Sequence, residues 1–581
     1  MGIKRLRLNN IGERFRSSEF AFGIFLSVVI GIASGAGAFV FQWLIVSFQK
    51  LFFDGGARIL AFMGHYYIIL LPAIGGVILG LIIHFSGTRE AKGHGVPEVM
   101  EAVTLRGGRI RSRVAVVKTF ASAICIGSGG SVGGEGPIIQ IGATIGSVLG
   151  QKLNLSSDWI KTLVASGAAG GISAVFNAPI AGTFFAHEVI LGRMFTRHFG
   201  FVVISSVIAN AVAHALPGEF EAFNPLNYEL ATNWGLILFF LLGAGCALVA
   251  FIFMSVLDKT EGIFDKVKLP DYIKPGLGGI AVGVIGLYNL HLLGTGYDGI
   301  EQALLGKIGI ATLGGLLVFK ILATSFTLGS GGSGGVFAPS LFLGVMFGGA
   351  FGDLANRVLP TFIAPSGAFA MVGMAAVFAA MAHAPITAIL IVTEMTRNYA
   401  IILPLMMAVV VSTFISVKLN PESIYTAKHM RRGINLHPHE EVDVLEKVIA
   451  ADVMTCDFPS VAPEMKLTEL ADLFSRKKYH GYPVIDKDGN LKGVVTLADI
   501  EARLATADKD YIVADIATKN LITAYPDESL HDILHNVEAS EIGLIPVVDR
   551  ENPAKLIGIL RRHDIIRAYA RARAQTQPDI I

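Results

Sequence analysis

Residues 116–150 read VVKTFASAICIGSGGSVGGEGPIIQIGATIGSVLG, and residues 318–352 read VFKILATSFTLGSGGSGGVFAPSLFLGVMFGGAFG. Set 202 positions apart, the two stretches align without a gap. Lys118 meets Lys320, Gly127 meets Gly329 and Pro137 meets Pro339, while Gly142, Gly146 and Gly150 meet Gly344, Gly348 and Gly352. A second pair follows at an offset of 206: AGGISAVFNAPIAGTFFAHEV from Ala169 matches AAVFAAMAHAPITAILIVTEM from Ala375. It sets Ala178-Pro179 on Ala384-Pro385 and Glu188 on Glu394. Agreement in order, position and spacing marks an internal repeat, with halves of roughly 20–215 and 230–430.

Composition says where these halves reside. The chain is 52% hydrophobic but only 16% charged, against about 25% charged in soluble domains. The deficit lies before about residue 420; the last 140 or so residues have an ordinary soluble composition. Bilayer crossing needs about 20 apolar residues. Phe20–Phe48, Tyr67–His84, Trp234–Val256 and Ile401–Val417 approach or exceed that length. Pro137–Gly150 and Ser340–Gly352 are shorter and broken by Gly or Pro, the pattern of discontinuous helices that meet inside a membrane. The basic N-terminus, MGIKRLRLNNIGERFR, and the loop carrying Arg106, Arg109, Arg111 and Arg113 fall on the cytoplasmic side by the positive-inside tendency. No secretory cleavage site follows the N-terminal run. Cys125, Cys246 and Cys456 are too far apart for a disulfide framework or a metal spacing.

The Gly-rich stretch Gly127–Pro137 ends in Pro at a helix start, where Pro fits the first turn and Gly lets the backbone approach a ligand. Free N–H groups at such a start attract anions. A nucleotide loop is the rival reading, but no Lys-Ser or Lys-Thr follows the glycines. Gly335-Val336-Phe337-Ala338-Pro339 repeats the design without the acid, and Gly93-His94-Gly95-Val96-Pro97 is a third such start. Stripping water from a bare ion costs tens of kcal/mol in the Born limit, whereas one helix end returns about 0.3–2 kcal/mol. Several helix starts must therefore converge to hold an anion.

GHGVP, GGEGP and GVFAP, in this order, resemble the three signature segments of the CLC chloride channel and chloride–proton exchanger family. FNAP at Phe176–Pro179 and the late Tyr425 extend the likeness over essentially all of residues 20–430. The resemblance implies an all-α polytopic membrane protein of two inverted repeats and about 18 helices, paired as a homodimer with one anion pathway per subunit. It implies that Glu135, in GGEGP, is the gate. Anion contacts would come from Gly134, Glu135, Gly136, the Val336 and Phe337 backbone, Tyr425 and His94. Ionised, a carboxylate beside an anion site can occupy and block it; protonated, it is released. An acid inside a membrane is a functional residue by default.

Two positions depart from the family pattern. His94 replaces the serine whose hydroxyl contacts the anion; imidazole can donate a hydrogen bond and can charge near neutral pH, or it can turn aside and leave contact to the backbone. Val189 stands where many proton-coupled exchangers carry an internal proton-transfer glutamate. On a helix of 3.6 residues per turn the neighbouring Glu188 points about 100° away. Passive, channel-like conduction is therefore the primary expectation. A proton-coupled exchanger using His187 or Glu188 is the alternative, although the pair reads first as structural interface groups. A cation transporter regulated by its tail ranks lower, because cation paths need converging carboxylates or carbonyls. Neither a His-Glu-x-x-His nor a Gly-x-Ser-x-Gly pattern suggests an enzyme.

The tail changes period. A helical stretch Leu467–Arg476 leads to a strand Tyr482–Asp486, an Asp488-Gly489 turn and Gly493–Asp499. A second copy runs from Ile516 through Ile545–Asp549 to Gly558 and Asp564. The copies resemble tandem CBS domains, placed at 449–505 and 512–572 after a linker at 431–448 and giving an α/β module. The resemblance implies adenine nucleotide (ATP, ADP or AMP) contacts at Thr496, Asp499 and Asp564, with Arg561 where the second hydroxyl would stand. A purely structural, dimer-stabilising tail is the other reading. No cofactor is required, no metal site is seen, and the expected partners are chloride or another small anion, the bilayer and a second subunit, not nucleic acid. The expected location is a bacterial inner membrane, with segment 1–19 and the tail in the cytoplasm.

Overall fold

The structure, a computed structural model, describes residues 19–193, 198–216, 235–359, 364–431, 448–476, 481–504, 511–519, 521–537, 544–561, 563–565, 567–568 and 571. Nearly all of segment 1–19 and of the 431–448 linker lies outside these residues. The chain forms two compact units, Met1–Pro438 and His439–Ile581.

The first unit is helical. Its longer helices are α1 (Glu19–Gln49), α2 (Tyr67–Ser86), α3 (Val96–Leu105), α4 (Ser112–Gly127), α5 (Glu135–Lys152), α6 (Ser157–Phe176), α7 (Pro179–Phe185) and α8 (Phe199–Ala215). Then follow α9 (Leu236–Lys266), α10 (Lys274–Gly286), α11 (Tyr297–Leu304), α12 (Ile310–Gly329), α13 (Phe337–Val358), α14 (Ser366–Ala382), α15 (Pro385–Thr396) and α16 (Ile402–Leu419). Two single turns, Gly56–Ile59 and Ala427–Met430, bring the described α-helical segments to eighteen. The sixteen longer helices divide into eight and eight in the same order, and α1 and α9 are each 31 residues long. Seven helices among the described residues are long and apolar enough to cross a bilayer. Their outer faces expose Phe25, Trp43, Phe240, Leu248, Val318, Val410 and Phe414, side chains that only a lipid solvent rewards.

The repeated glycines explain the packing. A Cβ on Gly142 would collide with the Gly167 carbonyl, and one on Gly344 with the Gly373 carbonyl. Small residues four apart let α5 lie on α6 and α13 on α14 at backbone contact. Among the described residues, each half also buries one lysine completely. Lys118 Nζ donates to the carbonyls of Ala91 (3.2 Å) and Gly93 (2.7 Å), and Lys320 Nζ to those of Leu292 (3.3 Å) and Gly294 (3.2 Å). Both side chains are fully buried, and each ammonium clamps a loop that leads into a helix start.

The second unit contains α17 (Leu467–Arg476), β1 (Gly481–Ile485), β2 (Leu491–Thr496), α18 (Leu497–Leu504), α19 (Leu530–Val537), β3 (Leu544–Val548) and β4 (Leu556–Arg561). β1 pairs antiparallel with β2, and β3 with β4. The Asp486 carboxylate closes the first hairpin turn by accepting from the Asp488 (3.0 Å) and Asn490 (2.8 Å) amides. Val461 lies parallel to Val484, and Ala524 parallel to Val547, so the copies match strand for strand.

Their opening segments are exchanged. Ala450 N donates to Glu528 O and Thr455 N to Ile559 O, each 2.9 Å, so the first copy's beginning completes the second copy's core. Leu467 N donates to Tyr511 O (3.0 Å), and Val513 sits in the first copy's core with Val461, Tyr482 and Val495. The boundaries at 449–505 and 512–572 describe the sequence copies, whereas each hydrophobic core takes residues from both.

Candidate functional site

Four helix starts are tied together at the centre of the membrane unit. The turn before α3 meets the turn before α13: Gly93 N donates to Gly332 O (3.0 Å) and Gly334 N to Gly93 O (3.3 Å). The turn before α5 meets the same strand-like stretch, with Gly133 N to Gly335 O at 2.8 Å and the reverse bond at 2.6 Å. The Ser122 and Ser333 hydroxyls are 2.8 Å apart, and Ser333 Oγ donates to Ala91 O (2.7 Å). Gly136 lies so close to the His94 carbonyl that it has no room for a Cβ. His94, Gly134, Glu135, Gly136, Val336 and Phe337 are thereby brought together from both halves.

Glu135 is the first residue of α5 and only 1% exposed. Its carboxylate crosses to the other half. Oε2 faces the Ala338 amide at 3.4 Å, in the first turn of α13, and Oε1 accepts a 2.5 Å hydrogen bond from the Tyr297 hydroxyl. The carboxylate thus sits against a helix N-terminus, the place an anion would take. Tyr297 opens α11, the fourth helix start.

Around this point Phe337 packs its ring 4.9 Å from Phe176 and 4.2 Å from Phe378. Tyr425 is buried, 6.4 Å from the Phe185 ring between centroids, and the field of Glu135 reaches its hydroxyl. His94 is buried, and neither ring nitrogen has a hydrogen-bond partner among the described residues. Lys428 reaches the glycine before it, Gly93, and Lys118 the glycine after it, Gly95. An imidazole without protein partners has a ring N–H to offer a passing anion. Glu135 also borders a cavity of about 490 Å³ lined by Phe41, Gln42, Gln49, His291, Thr295, Tyr297 and Asp298.

His187 and Glu188 are engaged elsewhere. His187 Nδ1 lies 2.9 Å from Thr183 O, and its ring packs on Phe199. Glu188 accepts from the amides of Ile386 (3.1 Å) and Thr387 (2.8 Å) and from the Thr387 hydroxyl (2.6 Å), capping α15. Glu394 returns the favour at α7, accepting from Ile180 N (3.1 Å) and Ala181 N (2.7 Å). Residues Ala186–Leu191 form a π-helical turn rather than an α-helical one, so the 100° spacing expected between Glu188 and Val189 narrows; Val189 is buried.

In the second unit, Asp499 Oδ2 accepts from the Thr496 amide (2.8 Å) and hydroxyl (2.7 Å). In the other copy Arg561 folds onto Asp564, Nε to Oδ2 at 2.9 Å, and reaches Thr455 Oγ1 at 3.0 Å.

Two eight-helix halves whose broken ends meet at a buried polar point define a membrane transport protein. The chain matches the model of the voltage gated chloride channel family over residues 75–417 and that of the CBS domain over 450–505 and 513–571. It belongs to that chloride channel family, the CLC proteins: integral membrane transporters or channels for anions, not enzymes. It is 36% identical over 367 residues to the H(+)/Cl(−) exchange transporter ClcA of Vibrio parahaemolyticus, spanning 62% of this chain and 78% of the relative. It is 28% identical over 581 aligned residues to the chloride channel protein CLC-f of Arabidopsis thaliana, spanning 86% and 73% of the two chains. Its fold is similar to a slow cyanobacterial Cl−/H+ antiporter, with a TM-score of 0.65, 25% identity and coverage of 72% and 98%.

Reading the sequence missed Tyr297, the two lysine clamps and Glu394's cap. A signal for the first was present: Gly93, Gly95 and Val96 correspond to Gly294, Gly296 and Tyr297 in the second half, and all four glycines have positive φ.

Proposed function

We propose that the chain conducts chloride or a similar small anion along one path per subunit, with Glu135 as the gate. The position of its carboxylate on the first turn of α13, in the place of an anion, carries this reading. Gly134, Gly136, His94, the Val336–Phe337 backbone and Tyr425 complete the site. Conduction is channel-like. Val189 supplies no proton-carrying group, and the Glu188 carboxylate is committed to capping α15. The similarity to a Vibrio exchanger keeps a proton-coupled exchanger as the second reading. We further assign a homodimer in a bacterial inner membrane, with the CBS tail cytoplasmic. Thr496 and Asp499 remain paired for an adenine nucleotide, whereas Arg561 occupies Asp564 in the other copy, so at most one of the two ligand positions is open.

The deciding experiment is the reversal potential of the protein in planar bilayers, with chloride fixed and a pH gradient imposed. Passive conduction leaves the reversal potential at the chloride value. A displacement with pH assigns the exchanger reading.

A further inference from the structure

We infer that Tyr297 is a latch: its hydroxyl holds the Glu135 carboxylate in the blocking position and thereby sets the proton concentration at which the path opens. The inference rests on the reading of Glu135 as the gate. Tyr297 follows Gly296, whose φ of +83° turns the chain into α11. Its loop does not drift, because Lys320 grips the Leu292 and Gly294 carbonyls and stands 4.9 Å over the Phe342 ring. The phenol is thus presented from a fixed frame.

The carboxylate is divided between two holders. Oε2 belongs to the first turn of α13 and Oε1 to Tyr297, at 3.4 and 2.5 Å. A phenol donating to an ionised carboxylate makes a charge-assisted bond, about twice as strong as a neutral one. Protonation of Glu135 removes that assistance, so the latch favours the ionised, inserted carboxylate and releases the neutral one. The released side chain has space, since Glu135 and Tyr297 both border the 490 Å³ cavity. The other titratable or charged groups that face Glu135 are Lys320 and Tyr425, through their fields, and His291 and Asp298 across the cavity. None of these donates a hydrogen bond to it among the described contacts; Tyr297 does. The equivalent position in the first half is Val96, which has no hydroxyl. The latch therefore belongs to the half opposite the gate.

The test is chloride efflux from liposomes containing the full chain, measured against pH. Tyr297→Phe keeps the ring and loses the donor. Its profile is expected to move about one pH unit to the alkaline side, the tenfold change in proton affinity that a lost charged hydrogen bond produces. An unmoved profile overturns the latch. In a Glu135→Ala background, adding Tyr297→Phe is expected to change nothing, and flux by that double variant also shows that the substituted chain assembles. A further change there means that Tyr297 acts on the pore itself, and the latch falls. If Glu135→Ala alone keeps the wild-type pH dependence, the gate assignment fails and takes the latch with it. If only the Tyr297→Phe profile stays put, the gate stands without the latch.

Discussion

Helix α5 begins at Glu135 and its repeat partner α13 begins at Phe337. Each follows a glycine-rich turn whose last residue has nearly the same backbone, φ −85° and ψ −12° at Gly134 against φ −99° and ψ −5° at Val336. One first residue is a carboxylate that crosses to the opposite half; the other is a ring wedged between Phe176 and Phe378. The two lysine clamps and the glycine seams are likewise duplicated. The backbone plan thus came twice, whereas of this pair only α5 sends an acid from one half to the helix start of the other.

The sharpest way to break this comparison is Glu135→Gln, which keeps the shape and removes the charge. Wild-type flux should change up to roughly tenfold per pH unit across the gate's titration range, and the variant should give a flat, high profile. A pH-dependent variant would mean that α5 and α13 are no more different in function than in backbone.

The next effect tests what the halves share. Glu188→Gln and Glu394→Gln each weaken a cap made of charged hydrogen bonds to amides at a helix start, costing about 1–3 kcal/mol. The two losses, read from unfolding in detergent, should be similar, with the double variant non-additive because α7 and α15 lie side by side. Losses differing by several-fold would show that the reciprocity is geometric only.

The smallest expected effect lies in the tail, where the copies differ as the halves do. Arg561→Thr frees Asp564 and restores the hydroxyl that Thr496 offers in the first copy. Binding of ATP to the full chain, followed by calorimetry, should tighten by about tenfold, the worth of one or two hydrogen bonds. Unchanged binding would show that the second copy's position takes no nucleotide even when Asp564 is freed.

Most of the architecture was legible in the sequence because it is written in local pattern. The span expected from Tyr67 to His84 is α2, the helix expected over Leu467–Arg476 is α17 with those bounds, and three helix starts were marked by Gly and Pro. The fourth was hidden because Asp298 stands where Pro97 stands in the first half, leaving a bare Gly-x-Gly. Contacts between halves, such as Tyr297 with Glu135 or Glu394 with Ile180, join residues far apart along the chain and carry no local period. The π-turn at Ala186–Leu191 was equally silent, since apolar spacing cannot separate it from an α-helix.

The exchange of opening segments in the tail makes the two copies a single folding unit. Each copy's core carries a segment that the chain lays down beside the other, so neither can be deleted, cut away or melted without exposing its neighbour's interior. A disturbance at Thr496 and Asp499 is consequently felt by both copies at once, and the tail yields only as a whole.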